Sequence, residues 1–110
     1  MQENEVQKNI ADTVSSAPIV LFVKGSPQAP QCGFSKAVMD IFDGLGATFK
    51  TVDVLSDPAI RDGVKQFTNW PTIPQIFIEV EFIGGCDIVR DLHKRGELAT
   101  MVKKALEKRK

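Results

Sequence analysis

Apolar positions recur along this chain with two different periods. Val6, Ile10 and Val14 fall four apart, which places them on one face of a helix. This predicts a short amphipathic helix over about 3–16, stopped by Ala17-Pro18 and covering one side of a core. Ile19-Val20-Leu21-Phe22-Val23 is an unbroken apolar run, read as a strand buried on both faces. Helical spacing returns at Phe34, Val38, Ile41 and Leu45, closed by Gly44 and Gly46, so Cys32 belongs in the first turn of that helix. Thr48 to Val54, rich in β-branched and aromatic residues, predicts a second strand. Ser56-Asp57-Pro58 then offers an N-cap and a first-turn proline ahead of Ile60, Val64 and Phe67.

Thr68-Asn69-Trp70-Pro71-Thr72-Ile73-Pro74 is a shaped loop, because its prolines remove donors and restrict the residues before them. Gln75 to Ile78 and Glu81 to Ile83 are apolar runs close enough for an antiparallel hairpin. Glu79-Val80 stands where Asn-Gly suits a tight turn, and a β-branched residue at positive φ is strained, so a looser loop is expected. After Gly84-Gly85, Asp87 is the predicted N-cap of a helix to about Arg95, interrupted at Gly96. Leu98, Met101, Val102, Ala105 and Leu106 define a last amphipathic helix with a solvated basic end over Lys103 to Lys110. No repeat is visible. The order predicts an α/β fold, a mixed sheet with helices on both faces. Its first two strands should be parallel through a right-handed crossover, with the hairpin as an antiparallel edge.

Composition narrows the function classes. The 14 Lys and Arg balance 14 Asp and Glu, so no global field draws nucleic acid or an anionic membrane, and any basic site must be local. No apolar stretch approaches the roughly 20 residues that span a bilayer. Glu3, Glu5 and Asp12 stand where a presequence would be basic, which reads as a soluble chain, already mature or never targeted. The length of 110 residues suits one domain over 1–110. Its N-terminal helix covers about 3–16 and its core about 19–108. Cys32 and Cys86 are too few for a disulfide scaffold and neither has a C-x-x-C partner, which fits a reducing compartment.

Cys32 is the focus of the chemistry. Unpaired N–H groups and the positive dipole end at a helix start stabilise a thiolate. Gln31, Gly33 and Ser35 supply no apolar wall, and Gly33 lets another molecule approach the backbone. Ser35 occupies the place of a second sulfur, so an external thiol or Cys86 must serve instead. Lys24, at the carboxyl end of the first strand, can lower the thiol pKa or bind a ligand carboxylate. Gly84-Gly85-Cys86-Asp87 combines small residues with the N–H groups of a helix start, an anion site in which Asp87 could pair with an ammonium. Cys86 is a buried inert thiol, a disulfide partner of Cys32 or a packing residue. Trp70 is read as a core or capping residue, the isomer of the Ile73-Pro74 bond stays open, and the lone His93 is read as structural, without companions for a zinc site.

Four blocks now stand in order: Lys24-Gly25-Ser26-Pro27, Pro30-Gln31-Cys32-Gly33-Phe34-Ser35, Trp70-Pro71-Thr72-Ile73-Pro74-Gln75 and Gly84-Gly85-Cys86-Asp87. Together they resemble the monothiol glutaredoxins of the Cys-Gly-Phe-Ser type over about Ile19 to Leu106. The resemblance implies a thioredoxin-like fold with a central four-stranded mixed sheet, a cis Pro74 facing Cys32 and a glutathione groove between the blocks. Lys24 and Arg61 would hold a glutathione carboxylate, Ile73 would give backbone contacts, and Cys86 and Asp87 would hold the γ-glutamyl end. Gly33, Phe34, Thr72, Pro74 and Gly85 complete the groove, with Lys65 as a secondary candidate. Family members bind a 2Fe-2S cluster across a homodimer that is monomeric without it; Cys32 and one glutathione, or a related low-molecular-mass thiol, would be the ligands of each subunit. The implied role is transfer of that cluster to iron-sulfur apo-proteins, with removal of glutathione from proteins through Cys32 as the alternative. Such chains occur in the mitochondrial matrix and the bacterial cytoplasm, and no nucleic acid or membrane partner is implied.

Overall fold

The computed structural model describes residues 3–108, so Arg109 and Lys110 of the basic end lie outside it. Among the described residues the chain runs α1 (Glu3–Ser15), β1 (Ile19–Val23), α2 (Gly33–Gly44), β2 (Lys50–Asp53), α3 (Pro58–Thr68), β3 (Gln75–Ile78), β4 (Glu81–Gly84), α4 (Cys86–Lys94) and α5 (Glu97–Lys108). The strands form one mixed sheet in the order β2-β1-β3-β4, with β1 parallel to β2 and antiparallel to β3. No described helix is long and apolar enough to cross a membrane.

Every residue of β1 is buried, as an apolar run between two helical layers requires. Alternation sends Ile19, Leu21 and Val23 into a core with α2, α4 and α5, and Val20 and Phe22 into a second core with α1 and α3. Val6, Ile10 and Val14 of α1 all enter that second core. The α1 and α3 axes come close because position 63 has no side chain: a Cβ there would stand 2.5 Å from Val6 Cγ1. The Gly63 carbonyl also accepts from Gln7 Nε2 at 2.9 Å. Asp57 caps α3 by accepting from the N–H groups of Ala59 and Ile60, with Pro58 in the first turn, a cap worth about 1 kcal/mol.

Several expectations are corrected. The buried stripe of α2 is Ser35, Val38, Met39 and Phe42, and Phe34 is 59% exposed. Helix α2 is thus rotated about one residue from the predicted stripe, because Ser35 must turn inward to meet the main chain of Lys24. The second strand is shorter than 48–54. Gly85 is the N-cap of α4 and Asp87 lies inside its first turn, where a carboxylate suits the helix dipole without capping. His93, expected to be structural, is exposed in the last turn of α4.

The hairpin is tight. Ile78 pairs with Glu81, leaving Glu79 and Val80 as a two-residue turn at φ 52° and 71°. Strong strand pairing overrides the local preference. Phe77 lies opposite Phe82 with ring centroids 5.5 Å apart, and the Glu79 N–H donates to the Pro18 carbonyl at 2.8 Å. These contacts leave no slack for the looser loop, and the left-handed backbone costs about 1–2 kcal/mol per residue. Val80 is 51% exposed, so its side chain returns little by burial. Val80→Gly should therefore raise stability by about 0.5–1 kcal/mol, read as a higher urea midpoint at unchanged m; a lower midpoint would show that the Val80 side chain holds the turn.

Candidate functional site

The sheet brings the predicted blocks to one end. Antiparallel pairing sets Phe22 opposite Gln75 and Ile76 opposite Gly84, while Val23 lies beside Asp53. The end of β1, the end of β2, the start of β3 and the end of β4 therefore coincide. From them extend the Lys24 to Gln31 loop, the Trp70 to Pro74 loop and the Gly85 turn.

Each loop is internally fastened. Gly25 and Pro30 form a bridge, and Gln31 N–H donates to the Lys24 carbonyl at 3.0 Å. Gln75, fully buried, donates from Nε2 to the carbonyls of Trp70 (3.0 Å) and Thr72 (3.2 Å) and accepts from Thr68 Oγ1 at 2.8 Å. Its amide thus fixes the loop from inside the sheet, and burial without these bonds would cost about 1–3 kcal/mol per group. The Ile73-Pro74 peptide is cis, as the resemblance implies.

Cys32 is the N-cap of α2, with extended backbone at φ −154°, and it is partly exposed. Its thiol is held below the ordinary thiol range. The Ser35 N–H is the largest cause; the Phe34 N–H, the Ser35 hydroxyl and the Lys24 charge add to it, and burial opposes them. Cys32, expected in the first turn, stands one residue ahead of it, where the Phe34 and Ser35 N–H groups still act on the sulfur; Ser35 itself is fully buried, and its Oγ accepts from Lys24 N–H at 3.1 Å. Burial pushes the Cys86 thiol up, a shift reinforced by the charges of Asp87 and Cys32 and opposed by that of Arg90. Both cysteines are free.

Beside Cys32 lies a groove of about 440 Å³, lined by Phe34, Trp70, Thr72, Ile73, Pro74, Gly85, Cys86, Asp87 and Ile88. Seven of these are predicted site residues; Trp70 and Ile88 are not among them. Trp70 is half-buried, edge-on to Phe82 at 5.7 Å, so it serves the groove and the sheet together. Ile88 is an exposed apolar residue directly after Asp87, and its adjacency to the Gly85-Cys86-Asp87 block is the one sequence signal that could have marked it. Lys24, Cys32, Gly33, Arg61 and Lys65 do not line this groove. Lys24 reaches Cys32 through its charge, and Gly33 faces open space, with nothing within 4 Å of where a Cβ would stand. Arg61, in the second turn of α3, lies near Asp62 at 3.7 Å, with its Nε buried and without a hydrogen-bond partner. Lys65, in the last turn of α3, is partly exposed.

Fold and site together define a thioredoxin-like protein in which one activated sulfur, at a helix start, borders a cis-proline groove. Residues 19–83 match the Glutaredoxin family model. The mitochondrial monothiol glutaredoxin-5 of Saccharomyces cerevisiae is 46% identical over 104 residues, covering 92% of this chain and 69% of the yeast protein. Probable monothiol glutaredoxin 2 of Rickettsia typhi is 44% identical, covering 94% and 93% of the two chains. The buckwheat glutaredoxin-glutathione complex superposes with a TM-score of 0.84 at 31% identity, covering 94% and 92%. The chain belongs to the glutaredoxin family, in its monothiol branch.

The two thiols should separate on alkylation. Iodoacetamide near neutral pH is expected to label Cys32 at least about tenfold faster than Cys86, with a rate that rises with pH through a midpoint below that of a free thiol. The sign follows from the thiolate being the nucleophile: a lowered pKa moves the rise to lower pH. Equal labelling by mass spectrometry, or a midpoint above the free thiol, would contradict the described electrostatics.

Proposed function

We propose that this protein carries a 2Fe-2S cluster ligated by Cys32 and by the thiol of bound glutathione, one of each from two copies of the chain, and delivers it to apo-proteins. The observation that carries this reading is the site's sulfur count. One partly exposed, activated thiol stands beside a groove, while a buried hydroxyl fills the place of a second sulfur. Such clusters take four thiolates, and a chain offering one must recruit the rest from a second copy and a small thiol.

The groove supports that recruitment. Its volume suits a short peptide, and the buckwheat relative was solved with glutathione. Thr72, Ile73 and Pro74 would present main-chain groups to an extended ligand, Gly85, Cys86 and Asp87 a helix start and a carboxylate to its amino end, and Lys24 and Arg61 cations to its carboxylate. Lys65 is assigned a supporting place on the same side, and Gly33 and Phe34 the floor next to the sulfur. Glutathione or a related low-molecular-mass thiol would fit this chemistry. A cluster held by one protein sulfur per copy leaves by thiol exchange, which suits transfer. The setting is a reducing compartment, a mitochondrial matrix or a bacterial cytoplasm; the yeast relative is named as mitochondrial and the Rickettsia relative is bacterial.

The alternative is deglutathionylation. There the Cys32 thiolate would attack a protein-glutathione disulfide, release the protein thiolate and take up glutathione as a mixed disulfide. A second glutathione would then attack that disulfide, freeing Cys32 and leaving as oxidised glutathione. Without a sulfur at position 35 the second step depends on an outside thiol, so turnover in a glutathione-dependent reductase assay should be weak. Robust turnover would reverse the ranking.

Anaerobic reconstitution with iron, sulfide and glutathione decides the main reading. The unmodified protein and Cys86→Ser are expected to gain visible absorption and dimer mass that depend on glutathione, and Cys32→Ser to gain neither. Colour that ignores glutathione or needs Cys86 would contradict the ligand set. Lys24→Ala should fold normally yet weaken glutathione and cluster retention by about tenfold, the scale of one charge-assisted contact; unchanged retention would remove Lys24 from the ligand site.

A further inference from the structure

The turn that carries Lys24 is tied from three directions. Lys24 N–H donates to Ser35 Oγ of α2 at 3.1 Å, and its carbonyl accepts from Gln31 N–H at 3.0 Å. The third tie comes from β2: Gly25 N–H donates to Asp53 Oδ1 at 2.9 Å, and the same oxygen accepts from Leu55 N–H at 2.9 Å. Gly25 cannot be exchanged to relieve this geometry. Its φ is +92°, and a Cβ would stand 2.5 Å from the Ala29 carbonyl oxygen and 2.7 Å from Gln31 N.

We propose that Asp53 is a positioning residue for ligand binding, whose Oδ1 locks the Lys24-Gly25 turn to the end of β2 and so keeps the root of the Lys24 side chain where its ammonium can reach a ligand carboxylate beside Cys32. The inference rests on the reading of Lys24 as a glutathione contact. Lysine has a long flexible stem, so the turn fixes only the root of the side chain, its Cα–Cβ bond, and a root that wanders adds to the freedom that binding must remove. With the Gly25 N–H released, a residue in the left-handed region regains freedom, and binding must then restrict it again. The charge of Asp53 would repel a ligand carboxylate, so attraction cannot be its contribution. Its use as a double acceptor accounts for its place at the site. An asparagine oxygen can accept the same two bonds without the charge.

The test is glutathione affinity by calorimetry for Asp53→Ala and Asp53→Asn, each with Lys24 present and in a Lys24→Met background. With Lys24 present, Asp53→Ala should weaken binding by about fivefold to tenfold, the scale of losing a large part of one charge-assisted contact. Asp53→Asn should bind as well as the unmodified protein or better, and in Lys24→Met the Asp53→Ala substitution should weaken affinity no further. Equal weakening in both backgrounds would mean a general loosening and overturn the inference, as would an Asp53→Asn variant as weak as Asp53→Ala. Unchanged affinity in Lys24→Met alone would instead refute the ligand role of Lys24. If Asp53→Ala does not fold, hydrogen exchange of the Gly25 amide in the unmodified protein decides: protection is expected, and exchange at the rate of an open loop overturns the clamp.

Discussion

The site depends on the pairing of β3 against β1. Phe22 opposite Gln75 is the last rung of that ladder, and from it one loop departs toward Cys32 and the other arrives from cis Pro74. A slip by one residue would exchange the two faces of β3. Phe77 would leave the core it shares with Phe22, where the rings meet edge-on at 5.6 Å, and Gln75 would lose its three partners in the Thr68 to Thr72 loop. Each loss is large beside the few kcal/mol that keep a domain folded. The register that buries the sheet is therefore the one that assembles the groove.

This coupling explains how much was readable from the chain. Helices, strands, the hairpin and the place of Cys32 near a helix start follow from apolar periods and from Gly, Pro and Asp punctuation, which are local signals, whereas the strand order β2-β1-β3-β4 appears only in the fold. Phe34 misled because period alone cannot separate a core position from an apolar wall left open for another molecule. Val80 misled in the opposite direction: a poor turn residue is tolerated because the Phe77-Phe82 pair and the Pro18 contact fix both strands. Ser35 and Asp53 act through bonds to chain segments that only the fold brings near, Asp53 across 28 residues to Gly25, while Gln75 bonds to the loop just before it but does so from inside the sheet. Their side chains carry no period, and the sequence distinguishes them from solvated polar residues only through neighbouring motifs.

Balanced charge is compatible with an electrically distinct site because the stabilising groups are short-range. The Cys32 thiol is lowered first by main-chain N–H groups of its own helix and last by Lys24. N–H groups at a helix start are fixed by the backbone and are little affected by salt, whereas an exposed ammonium is screened within about 8–10 Å. Activation of the sulfur and recognition of an anionic ligand are thus separable tasks. The first belongs to the cap of α2, and the second needs cations aimed from elsewhere.

That separation bears on the hydroxyl at position 35. A buried serine with no partner would be a liability of about 1–3 kcal/mol. Here its oxygen accepts from Lys24 N–H, and its proton is left for the sulfur of Cys32. One atom therefore joins the strand end that carries Lys24 to the helix cap that carries the thiol, with no redox chemistry of its own. A second sulfur at that position would be a weaker acceptor for the same N–H and would add a competing internal disulfide. The hydroxyl keeps Cys32 available to a partner outside the chain, the condition under which a single thiol beside an open groove can share a ligand.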